Sequence, residues 1–186
     1  MTRVVAVLDA NVLIPENLGS FLATCAFTGA FTPVLSTFAF DEVIRNFPIA
    51  QNRLAKMETA FAEYIVTPTP QNIKLVKLSK SPEDAHIVAA AQLSKAQVIV
   101  TNDIALTREI NAREDFEFEA LSTNEFLLRL SQTSAVAIRD AVVLMASMRK
   151  RPEQWTPVKV IDSLTDFDQA ANFQFIRLLN EMFPKD

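Results

Sequence analysis

Short apolar runs recur along the first two thirds of the chain, and segments with helical periodicity separate them. Residues 4–8, 33–35 and 97–100 form continuous apolar runs, and residues 116–121 form a weaker one. Continuous apolar runs of this length are typical of strands that are buried on both faces. Because helical segments lie between them, the pattern predicts an α/β fold with a mainly parallel central sheet.

Helices are predicted in the segments between these strands. The clearest apolar face lies in residues 36–47, where Phe40, Val43, Ile44 and Phe47 recur at i, i+3, i+4 and i+7. A further helix is expected to begin with Ser81 as its N-cap and Pro82 in its first position. The other helices predicted in this part of the chain are residues 17–29, 49–64 and 104–111, and residues 72–78 form a short amphipathic segment.

The pattern changes after about residue 124, where only helices are predicted. These helices are residues 126–130, 135–148, 158–164 and 170–183. We therefore expect an α/β domain over residues 1–125 and a helical C-terminal extension over residues 126–186.

Composition narrows the class of protein. Hydrophobic residues make up 49% of the 186 residues, which is enough for a packed core. The single cysteine, Cys25, excludes an internal disulfide framework and a cysteine-based metal site, and a buried place in the core is expected for it. No apolar stretch approaches the length of a membrane span, so we expect a soluble, cytoplasmic protein with no membrane partner.

Charge and glycine content argue against three functional classes. A net charge of −4, with the acidic excess in the first two thirds, argues against a general nucleic-acid binder. Only two glycines occur, Gly19 and Gly29, and neither belongs to a glycine-rich phosphate-binding motif. A dinucleotide-binding fold or a P-loop ATPase is therefore not indicated.

Two aspartates follow predicted strands directly. Asp9 ends the apolar run at residues 4–8, and Asp103 comes after residues 97–100. Parallel strands place both acids at the same edge of the sheet, where sites form in open α/β folds. The other candidates are Glu42, inside the helix predicted at 36–47, and Asp84, in the first turn of the helix predicted to begin at Pro82.

A cluster of carboxylates raises its own pKa values unless a cation lies among them. With a single cysteine and a single histidine, the oxygen ligands favour Mg²⁺ or Mn²⁺ over zinc. The sequence therefore predicts a hard divalent cation as cofactor.

Three of these acids have a structural alternative. Asp84 completes a Ser-x-x-Asp capping box with Ser81, and Asp103 can cap a helix at Ile104. Glu42 can pair with Arg45 on a helix surface. Asp9 is the hardest to explain structurally, because a lone carboxylate between apolar runs is costly to bury.

Four segments, taken in order, resemble the acidic motifs of the PIN-domain nucleases. They are VLDANVLI at 7–14, DEVIRNF at 41–47, SPEDAHIVAAA at 81–91 and VIVTND at 98–103. The resemblance covers about residues 2–125, and with its helical tail the chain most resembles VapC-type toxins and relatives that carry a C-terminal helical extension. Glu83 departs from the pattern, because relatives often have a second aspartate there, and so does the direct Asn102–Asp103 sequence.

The resemblance implies a three-layer α/β/α sandwich and a metal-dependent endoribonuclease. It assigns Asp9, Glu42, Asp84 and Asp103 as catalytic residues and metal ligands, with Asn11, Thr101 and Asn102 in support. Water activated by the cation would leave products with 5′-phosphate and 3′-hydroxyl ends. It also implies an RNA substrate, a small antitoxin partner and a homodimer.

Basic residues near the predicted motifs are weaker candidates for binding RNA phosphates. These residues are Arg45, Arg53, Lys56, Arg149, Lys150 and Arg151. For Arg149–Arg151 the alternative is a solvated helix end that favours cations. His86, the only histidine, lies two residues from Asp84 and is therefore expected to point elsewhere and pack.

Two other functions compete with the nuclease. Phosphatases of the haloacid-dehalogenase type also begin with an apolar strand that ends in an acid, but their second acid is replaced here by Asn11. The third possibility is a non-catalytic PIN-like scaffold that binds RNA or protein.

Overall fold

The central feature of the fold is a five-stranded, all-parallel sheet. The structure is a computed structural model and describes residues 3–164 and 173–184. The strands are β1 (Val5–Leu8), β2 (Thr32–Ser36), β3 (Ile65–Val66), β4 (Val98–Val100) and β5 (Glu119–Leu121). They are arranged in the order β3-β2-β1-β4-β5. The predicted α/β class and the parallel sheet are therefore confirmed.

Helices lie between the strands and after the last one. Before β5 they are α1 (Ala10–Leu13), α2 (Glu16–Phe27), α3 (Thr37–Asn46), α4 (Gln51–Ala60), α5 (Pro70–Leu75), α6 (Ala85–Ser94) and α7 (Ile104–Asn111). After β5 they are α8 (Thr123–Thr133), α9 (Ala135–Ser147), α10 (Pro157–Leu164) and α11 (Phe173–Met182). Short 3-10 turns occupy Pro48–Ala50, Ala62–Tyr64, Pro82–Asp84 and Pro152–Gln154.

Three local predictions need correction. The helix predicted at 49–64 is a shorter helix, α4, between two 3-10 turns. Ser81 makes no capping hydrogen bond, and α6 begins only at Ala85, because Pro82–Asp84 closes a 3-10 turn with the Asp84 N–H on the Ser81 carbonyl. The two-residue strand β3 is not marked by an apolar run and was not predicted. Residues 170–172 of the last predicted helix lie outside the described residues.

The central strands are buried because other elements cover both of their faces. Ala6, Val7 and Leu8 of β1 are fully buried, and the residues of β4 are at most 1% exposed. Leu8 pairs with Leu35 of β2 on one side and with Val100 of β4 on the other. The carboxyl ends of these three strands therefore lie level with one another at one edge of the sheet.

The order in which strands are added to the sheet reverses at β1. The chain adds β2 and then β3 on one side of β1, and afterwards adds β4 and β5 on the other side. Because crossovers between parallel strands are almost always right-handed, a reversal of this kind is consistent with a three-layer sandwich. β1 and β4 therefore flank the point of reversal, and the carboxyl ends of strands at such a point are where open α/β sheets bind ligands.

Contacts divide the chain into two compact units. Met1–Ile14 and Phe31–Ser122 form the first, which contains the sheet, while Pro15–Ala30 and Thr123–Asp186 form the second. In the second unit α2 packs with the later helices, since Asn17 donates to the Ser163 carbonyl. The linear division at residue 125 placed α2 with the sheet, because periodicity reveals an apolar face but not the element that covers it.

No helix in residues 3–164 and 173–184 is both long enough and apolar enough to cross a bilayer.

Replacement of a central strand residue should be far more costly than replacement of an exposed residue of the same type. Ile99 is fully buried in β4, so Ile99→Ala should lower the free energy of unfolding by about 2 to 5 kcal/mol. Ile104→Ala is the matched control, because Ile104 is 66% exposed and its loss should cost at most about 0.5 kcal/mol. Urea denaturation of both variants measures the difference, and equal losses would contradict the described sheet.

Candidate active site

Asp9 is a buried carboxylate at the end of β1. Its side chain is 5% exposed, and its backbone N–H donates to the Val100 carbonyl at 3.1 Å, which continues the pairing of β1 with β4. Oδ1 accepts the Ala10 N–H at 2.7 Å and so caps the short helix α1. The aspartate therefore lies at the end of the strand, as its position after the apolar run predicts.

Asn11 and Thr101 hold the other oxygen of Asp9. Oδ2 accepts from Asn11 Nδ2 at 2.6 Å and from the Thr101 hydroxyl at 2.7 Å. Asn11 Nδ2 also donates to Thr101 Oγ1 at 2.9 Å, which closes a triangle of hydrogen bonds. Two neutral groups thereby fix the rotamer of a buried charge without adding another charge.

The triangle extends to the segment that follows β4. The Asp103 N–H donates to Thr101 Oγ1 at 3.0 Å, and the Asn102 N–H donates to Asn11 Oδ1 at 3.0 Å. Asn102 was predicted as a supporting side chain, but it supports Asn11 through its backbone. Asp103 Oδ1 accepts the Leu106 N–H at 2.9 Å, so Asp103 is the N-cap of α7.

Asp84 ends the 3-10 turn Pro82–Asp84 and has a half-buried side chain. No described residue forms a hydrogen bond with its carboxylate, and the capping box with Ser81 is not formed. Burial, followed by the charges of Asp9, Glu83, Asp103 and Glu42, raises the pKa of Asp84 from 3.8 to about 7. All of these influences act in one direction, and no basic side chain in residues 3–164 and 173–184 offsets them.

Glu42, half-buried on α3, contributes its charge to the same group of acids. Its carboxylate raises the pKa of both Asp9 and Asp84. The alternative interpretation, an ion pair with Arg45, is not among the ion pairs formed by residues 3–164 and 173–184. The charges of Glu42 and Asp103 thus act on both Asp9 and Asp84, so the four acids that the sequence predicted lie within electrostatic range of one another's site.

Burial is the main reason that Asp9 resists ionisation. It raises the pKa of Asp9 from 3.8 to about 6, and the charges of Glu42 and Asp103 act in the same direction. The hydrogen bonds from Thr101 and Ala10 oppose the shift. Ionised Asp9 is therefore stabilised by fixed dipoles but not by a cationic side chain.

Ser36 is a buried hydroxyl at this edge that the sequence analysis did not place in the site. It ends β2, and because Leu8 pairs with Leu35, Ser36 lies next to Asp9 along the edge. The side chain is fully buried, makes no capping bond to α3 and has no hydrogen-bond partner among the described residues. The sequence marks Ser36 in the same way as Asp9, because each is a polar residue that directly follows an apolar run.

The basic residues of the first unit have different roles. Arg53 Nη2 donates to the Leu13 carbonyl at 2.6 Å and to the Ile14 carbonyl at 3.3 Å. Its guanidinium therefore satisfies carbonyl groups at the end of α1, where a cation is favourable. Arg45 and Lys56 are exposed.

The other predicted RNA-binding residues belong to the second unit. Arg149 donates to Asn17 Oδ1 at 2.9 Å, and its guanidinium lies 4.3 Å from the centre of the Trp155 ring. These contacts hold Arg149 within the helical unit. Lys150 and Arg151 are exposed.

His86 packs against an aromatic ring, as its position two residues from Asp84 predicts. Its ring is stacked on Phe38 with centroids 5.5 Å apart and an angle of 19° between the planes. Burial lowers its pKa, which favours the neutral imidazole.

The donor chemistry of the site fits a hard divalent cation. Carboxylate, hydroxyl and amide oxygens are the ligands that Mg²⁺ and Mn²⁺ prefer, and a buried hydroxyl without a partner lies beside Asp9. Within the described ranges, no three histidine, cysteine, aspartate or glutamate side chains are close enough together to hold a metal ion. The residues therefore match the cation in chemistry, but they do not form a preassembled ligand cage.

Comparisons with protein-family models, with curated proteins and with solved structures give no match to this chain.

The raised pKa of Asp9 predicts how stability depends on pH in the absence of divalent cations. The folded protein binds the Asp9 proton more tightly than the unfolded chain, so this carboxyl destabilises the fold as pH rises from about 4 through 6. The shift from 3.8 to about 6 corresponds to about 3 kcal/mol. Asp9→Asn should therefore gain stability relative to wild type by about that amount between pH 4 and pH 8.

Urea denaturation in EDTA at several pH values measures this gain. The difference between the two proteins is the informative quantity, because the lowered pKa of His86 changes the stability of both in the opposite direction. A difference that does not vary with pH would show that Asp9 is not destabilised by burial.

Arg53 and Lys56 provide a matched test on the same helix. Arg53→Ala removes the donor to Leu13 and Ile14, so we expect a loss of about 1 to 3 kcal/mol in the free energy of unfolding. Lys56→Ala removes an exposed cation and should change stability by at most about 0.5 kcal/mol. Thermal denaturation of both variants would refute the structural role of Arg53 if their melting temperatures were equal.

Proposed function

We propose that the protein is a Mg²⁺- or Mn²⁺-dependent endoribonuclease of the PIN type. The observation that carries this proposal is that the charges of Glu42 and Asp103 act on both Asp9 and Asp84 near the carboxyl edge of the sheet. Asp9, Glu42, Asp84 and Asp103 come from separate parts of the chain, and Asp9 and Asp84 have raised pKa values as a result of burial and of their neighbours. An arrangement so unfavourable for the protein alone is typical of a functional site.

The four acids would share the task of holding the cation. Asp84 and Glu42 offer carboxylates that accept no hydrogen bond from the described residues, whereas Asp9 and Asp103 each use one oxygen to cap a helix. When bound, the cation would lower the pKa of a coordinated water and stabilise charge on the scissile phosphate. Ionised carboxylates are required for this, so binding should displace the protons that the raised pKa values retain.

Asn11 and Thr101 would orient Asp9. Both groups donate to Oδ2, which fixes the carboxylate while Oδ1 retains a free lone pair beside its bond to Ala10. The Thr101 hydroxyl also accepts the Asp103 N–H, so it links the two acids that follow β1 and β4. Replacement of the Thr101 hydroxyl by a methyl group, or reversal of the Asn11 amide, would remove hydrogen bonds that orient Asp9. Loss of the hydroxyl would also free the Asp103 N–H.

The surroundings of Asn11 favour a nuclease over a phosphatase of the haloacid-dehalogenase type. Such a phosphatase needs an acid at this position to transfer a proton. Asn11 cannot titrate, and its amide is committed to Asp9, Thr101 and the Asn102 N–H. A positioning role accounts for all of these hydrogen bonds.

The biological setting of the proposal follows from the resemblance to VapC-type proteins. In that setting the protein is the toxin of a toxin–antitoxin pair, a small antitoxin blocks the acidic site, and the toxin forms a homodimer. The exposed cations Arg45 and Lys56 in the first unit, and Lys150 and Arg151 in the second, are the remaining candidates for contacts with RNA phosphates.

Substitution of the central acid tests the proposed reaction. Asp9→Asn keeps the size of the side chain but removes its charge, so Mg²⁺-dependent cleavage of RNA should fall by at least about a hundredfold. Asp41→Asn is the matched control, since Asp41 is exposed on α3 next to Glu42 and should retain activity. Cleavage of a labelled RNA is measured with Mg²⁺, with Mn²⁺ and with EDTA, and the fragment ends should be 5′-phosphate and 3′-hydroxyl.

Three results would contradict this function. Full activity of Asp9→Asn, or activity in EDTA, would exclude the cation-bound acidic site. Hydrolysis of a phosphomonoester without RNA cleavage would favour the phosphatase. Binding of RNA without any cleavage would favour the non-catalytic scaffold.

A further inference from the structure

A buried glutamate on α7 holds the segment that leads to Asp84. Glu109 is 9% exposed, and its Oε1 accepts both the backbone N–H of Ser79 and the Ser79 hydroxyl, the latter at 2.8 Å. Oε2 accepts the Lys80 N–H at 2.9 Å. One carboxylate thus satisfies three donors of a segment that lies about thirty residues away along the chain.

This glutamate is ionised in a buried position because the backbone stabilises its charge. Hydrogen bonds from Ser79 and Lys80, together with the Ser81 N–H, lower the pKa of Glu109, although burial alone would raise it. The segment 79–81 has no helix or strand of its own to satisfy these amides. The Glu109 carboxylate therefore replaces the backbone partners that regular secondary structure would provide.

The hydrogen bonds continue from this segment to Asp84. Ser81 is 4% exposed, and its carbonyl accepts the Asp84 N–H at 3.0 Å within the 3-10 turn. Two residues before the segment, the Lys77 carbonyl accepts a hydrogen bond from Arg113, which lies just beyond the end of α7. Glu109 and Arg113 therefore hold the backbone before Asp84 at two points.

The opposite end of α7 begins at another acid of the site. Asp103 caps the helix through the Leu106 N–H, and its own N–H is bound to Thr101. Asn111, near the end of α7, exchanges two hydrogen bonds with the backbone of Ala120 in β5, which fixes the helix to the sheet. A single helix of eight residues therefore connects Asp103 to the segment that carries Asp84.

We propose that Glu109 is a positioning residue that sets Asp84 relative to Asp103, so that both carboxylates can bind the same divalent cation. This inference rests on the proposed function. It assigns a role to a residue that lies outside the acidic site and outside its four sequence motifs. Glu109 acts through the backbone of residues 79–81 and does not contact the cation.

The test uses one substitution that disturbs the segment and one that disturbs only the helix. Glu109→Gln turns one acceptor oxygen into an amide group, which then faces a backbone N–H of Ser79 or Lys80 and repels it. Asn111→Ala, on the same helix as Glu109, removes the two hydrogen bonds to Ala120 of β5. It leaves the hydrogen bonds to residues 79–81 in place. Both variants should lose stability, so loss of stability alone does not distinguish a positioning role.

The distinguishing measurements concern the cation. Glu109→Gln should raise the Mg²⁺ concentration needed for half-maximal RNA cleavage, and the dissociation constant for Mn²⁺ in calorimetry, by about tenfold, while saturating Mg²⁺ should restore most of the rate. Asn111→Ala should leave both quantities within about twofold of wild type. Hydrogen exchange should accelerate at the amides of Ser79, Lys80 and Asp84 in Glu109→Gln only.

The outcomes separate this inference from the function on which it rests. If wild type cleaves RNA with Mg²⁺ and Glu109→Gln has an unchanged Mg²⁺ requirement, the positioning role is wrong and the nuclease proposal stands. An equal change in both variants also overturns the positioning role, because general destabilisation then explains it. If wild type neither binds Mn²⁺ nor cleaves RNA, the proposed function fails, and this inference fails with it.

Discussion

The candidate site depends on the burial of one carboxylate, that of Asp9, at the level where β1, β2 and β4 end together. The register that pairs Leu8 with Leu35 and Val100 fixes this level, and it also brings Ser36 and Thr101 to the same edge. A buried acid there needs hydrogen-bond donors from several elements at once, and the N–H of Ala10, the amide of Asn11 and the hydroxyl of Thr101 provide them. The sheet and the site are therefore built by the same pairing of strands.

These contacts stabilise the orientation of Asp9 but leave the electrostatic problem unsolved. Fixed dipoles offset part of the cost of a buried charge, yet Glu42, Asp84 and Asp103 add further negative charge nearby. Stability and function thus oppose each other at this edge, as is common where a site binds a ligand of opposite charge. The carboxylates repel one another, but each of them would attract the proposed divalent cation. Its binding would therefore make the net electrostatic interaction at this edge favourable.

Sequence analysis could predict the parts of the structure that depend on local pattern. Asp9 and Asp103 could be placed because each follows an apolar run, and parallel strands must end at one edge. Ser81 was assigned as a helix cap because Ser-Pro-Glu-Asp is a strong local signal, but the competing 3-10 turn delays α6 until Ala85. Arg53 was grouped with RNA-binding cations because no local pattern reveals its acceptors, which lie about forty residues earlier. The spacing of Glu109 is the one local indication of its role, because it places an acid with Leu106 and Ile110 on the buried face of α7.

The assignment of α2 to the second unit has a consequence for how the protein is made. The chain completes β1, passes through a helix whose partners are synthesised last, and then returns to build the remaining four strands. During synthesis, the apolar face of α2, including Phe21 and Leu22, must therefore wait for α9 and α10 before it can be covered. The two units are interleaved along the chain, and a single cut near residue 125 would separate α2 from α9 and α10.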